Sequence, residues 1–267
     1  MARATVAGAL SLVAAGCAIS RQQEIAMGSD YSRQINAQLP IVRDPEVNRY
    51  ISLLGDSIAR VADRSGLDWH FYVVDSREVN AFAVPGGFIY VNRGLIERTT
   101  RMSQLAGVLG HEIGHVVRRH SVKQMEAAQR ANAGITLGCI LTRVCDYGAT
   151  AAGIEIAGGL FFAKFGRDDE READRVGVDY LVRAGIDPRG IPEMFRILLE
   201  ERSRRPDAVS AWFSTHPLEE ERIENAEAAI ATYSAERVRG LTRDTERYQA
   251  FRRRLQSLPV AAAPPAR

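Results

Sequence analysis

The residues with the clearest capacity for chemistry are His111-Glu112-Ile113-Gly114-His115. Two histidines four positions apart fall on one face of a helix, about one turn from each other. That spacing lets two imidazoles grip one Zn²⁺, and the glutamate beside the first can reach a zinc-bound water. A catalytic zinc needs a third protein ligand and keeps a fourth position for water. The stretch Asp168-Asp169-Glu170-Arg171-Glu172-Ala173-Asp174 supplies candidates. Acidic residues also suit the start of a helix through its dipole, so a projection has to separate ligands from caps. At about 100° per residue, Glu170 and Asp174 share one side with Ala173, Gly177, Tyr180, Leu181 and Ala184. Glu172, Arg175, Asp179 and Arg183 lie opposite. Two carboxylates aimed at a core are expensive unless something positive compensates them, as a metal does. Glu170 is thus the expected third ligand and Glu172 a surface residue. Asp174, one turn on, is placed to accept a hydrogen bond from a ligand histidine's second nitrogen. Capping or salt-bridging is its alternative role.

These residues need helices to hold them. Leu105, Val108, Leu109, Ile113 and Val116 recur at helical spacing around the first motif, with Ser103 as the expected N-cap. Gly107, Gly110 and Gly114 lower helix propensity, which points to close packing as their reason. The acidic motif opens a helix at 168–184, and further helices are expected at 188–203 and 218–234. Upstream, a polar helix ends at Pro40, and Asp44-Pro45 reads as N-cap and first position of a helix whose core face is Val47, Tyr50, Ile51, Leu54, Ile58 and Val61. Residues 69–74 read as a strand, in which His70 is structural or at the surface. Residues 80–84 and 88–91 read as two strands joined by a turn at Pro85-Gly86-Gly87. Residues 122–133 look helical and polar. Residues 134–165 are rich in Gly, Ala and Ile but carry Arg143, Asp146, Glu155 and Lys164. That leaves no span of membrane length, and buried or lid-like helices over the site are expected, with an amphipathic membrane contact as the alternative.

The 267 residues are 46% hydrophobic and 25% charged, with a net charge of +2, which is the balance of a soluble globular protein. No basic field marks a nucleic-acid partner or demands an anionic membrane. Arg118-Arg119-His120 and Arg252-Arg253-Arg254 read as solvated faces. The first residues differ: Arg3 precedes an uncharged run over 4–16 that ends in Ala14-Ala15-Gly16-Cys17. This has the form of a secretory h-region, and the small residues before Cys17 resemble a bacterial lipobox, although Ala14 stands where leucine is usual. Export with lipidation at Cys17 is expected; a plain signal peptide or a buried N-terminal helix is the alternative. In an oxidising compartment Cys139 and Cys145 can form a short-loop disulfide, or remain two buried thiols.

Taken together, His111-Glu112-Ile113-Gly114-His115 and Glu170-Arg171-Glu172-Ala173-Asp174 resemble the HtpX and CAAX-prenyl endopeptidase class of zinc metallopeptidases. Within it, the chain is most similar to the bacterial periplasmic and outer-membrane lipoprotein branch. Further matches are Asn80-Ala81-Phe82, Pro85-Gly86-Gly87, Gly94-Leu95, and Ser214-Thr215-His216-Pro217 with Arg222, over roughly residues 45 to 230. The resemblance implies an α+β fold, predominantly helical, of zincin type, with a small sheet beside the H-E-x-x-H helix. It implies Glu170 as the ligand glutamate and Asp174 as its supporting aspartate, in agreement with the projection. It also brings His216 near the metal and Arg222 after it, where an imidazole and a guanidinium can stabilise an oxyanion. In some relatives the histidine is taken as a regulatory ligand that displaces the water. Read from the residues alone, His216 before Pro217 equally suits a helix start. The chain carries neither the transmembrane helices of the integral-membrane members nor the tetratricopeptide tail of others. That argues against membrane-embedded substrates and repeat-mediated docking.

The expected organisation is a signal peptide over 1–16, an N-terminal helical segment over 17–43, a metallopeptidase domain over 44–235, and a C-terminal helix with a disordered tail over 236–267. The expected activity is zinc-dependent endopeptidase cleavage of misfolded or misassembled envelope proteins, with one Zn²⁺ per chain and Glu112 as general base. Location on the periplasmic side, anchored by lipid to the outer membrane, completes the expectation. A chaperone-like assembly factor with latent protease activity is the alternative from another class.

Overall fold

The structure, a computed structural model, describes residues 18–142, 164–217 and 220–260, with the side chains of 132–142 left out of the description. The expected signal peptide over 1–16, Cys17, Cys145, the side chain of Cys139 and most of 134–165 therefore lie outside the described residues.

The first described helix, α1 (Arg21–Gln38), starts at Ser20, whose hydroxyl accepts from Gln23 N while the Gln23 side chain accepts from Ser20 N. It lies across a three-stranded sheet. Helix α2 (Pro45–Ala62) begins as its residues dictate, with the Asp44 carboxylate accepting from Glu46 and Val47 and proline in the first turn. Its buried face is Val47, Ile51, Leu54 and Ile58. The strands are β1 (His70–Val74), β2 (Ala81–Val84) and β3 (Phe88–Asn92), in the order β1-β3-β2. β1 runs parallel to β3, and β2 is antiparallel to it with Phe82 opposite Tyr90. The β2–β3 turn needs positive φ at Gly86 and Gly87, at 84° and 101°, which glycine adopts without a Cβ clash. Ile35 of α1 packs on Phe82, Val84, Phe88 and Tyr90, and Ser32 Oγ bonds Tyr90 Oη at 2.8 Å.

After the short α3 (Arg93–Arg98) comes α4 (Met102–Val117), which carries the H-E-x-x-H motif. Every residue from Met102 to Val116 is buried, because α2, the sheet and two later helices surround it. Ser103 is not its N-cap. The helix starts at Met102, two positions before a Ser103 cap would start it, and Asp244, from a distant part of the chain, accepts from Met102 N at 3.0 Å. Gln104 reaches back to Thr100 N at 2.7 Å. A tertiary partner thus replaces the local cap that the serine offers.

Helices α5 (His120–Thr142), α6 (Arg167–Arg183), α7 (Gly190–Arg204), α8 (Pro206–Thr215), α9 (Glu220–Ala231), α10 (Ala235–Arg239) and α11 (Glu246–Ser257) complete the described chain. The glycines of α4 explain themselves here. A Cβ at Gly110 would lie 2.5 Å from Leu181, one at Gly114 3.1 Å from the Ala173 carbonyl, and one at Gly107 3.0 Å from Ile191 N. Glycine lets α4 and α6 cross at close range, and that contact brings the acidic residues of α6 beside the histidines of α4. Arg93, read past in the sequence, is buried at 1% exposure. It bonds Asp75 at 2.7 Å and the last carbonyls of α11, where a cation complements the helix dipole.

Candidate metal centre

Helix α4 presents His111 and His115 on one face, both 1% exposed, with their Nε2 atoms 3.0 Å apart. Helix α6 contributes Glu170, wholly buried, its carboxylate 3.2 Å from His115 Nε2 and 3.6 Å from His111 Nε2. The third element is the end of α8. His216 occupies the residue after the helix, its N–H bonded to the Trp212 carbonyl at 2.8 Å. Its Nδ1 lies 3.1 Å from Glu170 and 3.3 Å from His111 Nε2. One ligand atom from each of His111, His115, Glu170 and His216 lies within 4.8 Å of all the others. Aromatic rings wall the cluster: Trp212 stacks on His216 at 4.7 Å, and Phe165 on His115 at 3.8 Å.

Charge behind the cluster is balanced. Asp174 accepts from His111 Nδ1 at 2.8 Å and from Arg222 Nε and Nη2 at 2.7 and 2.8 Å. Arg222 also donates to Glu170 and to the Pro217 carbonyl, so its guanidinium is committed to these partners. Burial pushes the Asp174 carboxyl up, but Arg222 and His111 outweigh it and hold it below the usual carboxylate range. Burial likewise opposes ionisation of Glu170, yet His216 and His111 hold its carboxyl well below that range. Glu112 behaves differently. It is wholly buried, and burial pushes its carboxyl up against the pull of His216 and His111. Among the described residues neither of its oxygens has a hydrogen-bond partner; His216 Nε2 lies 3.5 Å away. A buried, unpartnered carboxylate is costly and calls for a reason.

The donor set gives that reason. The Nδ1–H of His111 is committed to Asp174, so its Nε2 turns a lone pair inward. The Glu170 carboxylate and the imidazoles of His115 and His216 meet it at the same point. Lone pairs converging at 3.0 to 3.6 Å repel unless a cation or protons lie among them. Imidazole nitrogens with one carboxylate are the ligands of a catalytic zinc. The residues fit a divalent metal.

The structure thus brings together His111, Glu112, His115, Glu170, Asp174, His216 and Arg222. Cys17, Cys139 and Cys145 fall outside the described side chains. Of the residues at the site, one escapes the sequence reading and one is misread by it. Trp212 lies in α8, a helix absent from the expected set. His120, read as part of a solvated Arg-Arg-His face, is instead wholly buried with its Nδ1 2.9 Å from His115 Nδ1. Its neighbours are not free either: Arg119 bonds Glu24 at 2.8 Å, and Arg118 lies 3.3 Å from Glu172.

Comparison with known proteins agrees with the geometry. Residues 45–230 match the model of peptidase family M48. The beta-barrel assembly-enhancing protease of Yersinia pestis is 37% identical over 219 residues, covering 79% of this chain and 45% of that protein. The metalloprotease YcaL of Escherichia coli is 30% identical over 186 residues, covering 68% of this chain and 72% of that protein. The mitochondrial metalloendopeptidase OMA1 of Danio rerio is 30% identical over 196 residues, 70% of this chain and 41% of that protein. The chain thus spans under half the length of the beta-barrel assembly-enhancing protease. With a mostly helical fold, a small sheet against α4 and a buried histidine–glutamate cluster, the chain belongs to peptidase family M48, a metalloendopeptidase family.

Proposed function

We propose that this chain is a zinc-dependent endopeptidase that cuts misfolded or misassembled proteins of the bacterial cell envelope. The observation that carries the reading is the convergence of His111, His115 and Glu170 beside the buried carboxylate of Glu112, which has no hydrogen-bond partner among the described residues. His111, His115 and Glu170 would hold the metal. Bound Zn²⁺ supplies Lewis acidity, polarising a peptide carbonyl and acidifying a water. Glu112 takes the proton from the attacking water and passes it to the leaving amine; burial, by raising its proton affinity, suits it to carry that proton. Asp174 fixes the His111 ring by accepting its Nδ1–H. Arg222, with its donors bonded to Glu170 and Asp174, serves by neutralising these carboxylates rather than by reaching an oxyanion. An extended substrate segment has a ready partner in β2, an outer strand of the sheet that lies against α4.

Envelope location rests on the sequence of residues 4–17, which supports export and lipid anchoring at Cys17 on the periplasmic side of the outer membrane. Among the described residues no helix is long and apolar enough to cross a membrane. The name beta-barrel assembly-enhancing protease, carried by relatives, supports envelope protein substrates for this chain as well.

A second reading, an envelope assembly factor with latent protease activity, is favoured by one observation. His216 Nδ1 stands among the ligand atoms, 3.3 Å from His111 Nε2, where an imidazole can occupy the position a water needs. Two variants test both readings on unfolded casein. Glu112→Gln should keep its zinc and lose about 10²–10⁴-fold in cleavage; undiminished cleavage would sink the peptidase reading. His216→Ala should gain activity if the residue is a latch, and lose it if it assists the transition state.

A further inference from the structure

A histidine that offers one ring nitrogen to a metal needs a partner for the other. His111 has Asp174. Behind His115 the arrangement is of another kind. His115 turns Nε2 toward His111 and Glu170 and Nδ1 toward Nδ1 of His120, 2.9 Å away. His120 in turn sets its Nε2 3.1 Å from Glu172 and 3.7 Å from Asp169. His120 is wholly buried, whereas Glu172 keeps about a third of its side chain exposed, at 34%.

The proton count along this row has one solution. If His115 Nε2 offers a lone pair, its neutral ring carries the proton on Nδ1 and donates it to His120. His120 Nδ1 accepts only when its own proton sits on Nε2, and that nitrogen faces the Glu172 carboxylate. The backbone is bent to build this. Arg119, between α4 and α5, has φ at 57°, a conformation that side chains rarely adopt. It is held there by Arg119 Nε donating to the buried Glu24 at 2.8 Å and by Nη2 donating to the Ile19 carbonyl at 2.6 Å. In an unbroken helix, five residues would carry His120 about 140° away from His115. The turn at Arg119 brings it back beneath the ring.

We infer that His120, backed by Glu172, is a positioning residue for the metal centre: it fixes His115 in the tautomer and orientation that present Nε2. The inference rests on the metal-centre reading proposed above.

The test uses the full chain, stripped of metal by a chelator and titrated with Zn²⁺ against a competing indicator, with Co²⁺ absorption spectra recorded in parallel. His120→Ala should weaken Zn²⁺ binding about 10-fold and shift the Co²⁺ spectrum. His120→Asn, whose amide oxygen can stand where Nδ1 stood, should recover most of the affinity. Glu172→Ala should weaken binding only a few-fold, because water can replace a carboxylate that is one-third exposed. A folded His120→Ala with wild-type affinity and spectrum overturns the inference. So does equal loss in His120→Ala and His120→Asn, which marks a packing role instead. The underlying reading fails separately: in that case the wild type and His115→Ala bind Zn²⁺ alike, whatever His120 does.

Discussion

The two histidines of α4 differ by what stands behind them. His111 is backed by a carboxylate, Asp174, buried to 2% exposure and neutralised by two donors of Arg222. His115 is backed by a neutral ring, His120, and meets a carboxylate only at Glu172, near the surface. The first flank is a closed network in which each charge depends on the others. The second is a row whose last member can exchange its partner for water. A metal centre of this kind is rigid and charge-compensated on one side and anchored through hydrogen-bond geometry on the other. Damage should therefore be severe on the His111 side and graded on the His115 side.

The largest effect should come from Arg222→Met, which leaves Glu170 and Asp174 buried without their cation. Removing one member of a buried ion network costs about 3–5 kcal/mol, read as a lowered midpoint in urea denaturation of the metal-free protein. A loss below about 1 kcal/mol would mean that this flank is not closed at all. Next, Asp174→Ala should lower Zn²⁺ affinity by about 100-fold, the upper end for a residue that orients a ligand. If His120→Ala costs more than Asp174→Ala, the ranking of the two flanks is wrong. Because the flanks share no side chain behind the ligands, the losses in the double variant should multiply, to about 10³-fold. A double variant no weaker than the worse single one would show that both act through one rearrangement.

The smallest effect is a pH dependence at Glu172. Burial pushes its carboxyl up, but the bond to His120 and the charge of Arg118 outweigh this and hold it below the usual range. A lowered folded-state value means that the stability it contributes is present above the unfolded carboxyl's value, about 4.3, and is lost as pH falls through the folded value. The melting-temperature gap between the wild type and Glu172→Gln should be flat above about pH 5 and close below about pH 4. A gap that widens on acidification would contradict the hydrogen bond to His120.

Much of this site could be read from the chain because helices repeat. His111 and His115 share a face by spacing, and the projection of residues 170–184 aims Glu170 and Asp174 inward. The helix at Asp44-Pro45 and the hairpin at Pro85-Gly86-Gly87 were legible for the same kind of reason, since their residues act on their own backbone. What escaped depends on distant partners. Ser103 looks like a cap, but Asp244 takes the role from over a hundred residues away. Arg93 looks like a surface charge until the last carbonyls of α11 arrive. His120 escaped through a single torsion, because nothing in Arg118-Arg119-His120 announces a positive φ at an arginine. Helical periodicity stops at such a turn, and with it the means of projecting the next residue.

The central claim is that the lone pairs of His111, His115 and Glu170 converge to hold one catalytic zinc. Zinc content, measured by mass spectrometry on the wild type, Glu112→Gln and Glu170→Gln purified side by side, tests it most directly. One zinc per chain is expected in the first two and little in the third. A Glu170→Gln protein that is folded and fully loaded would contradict the account.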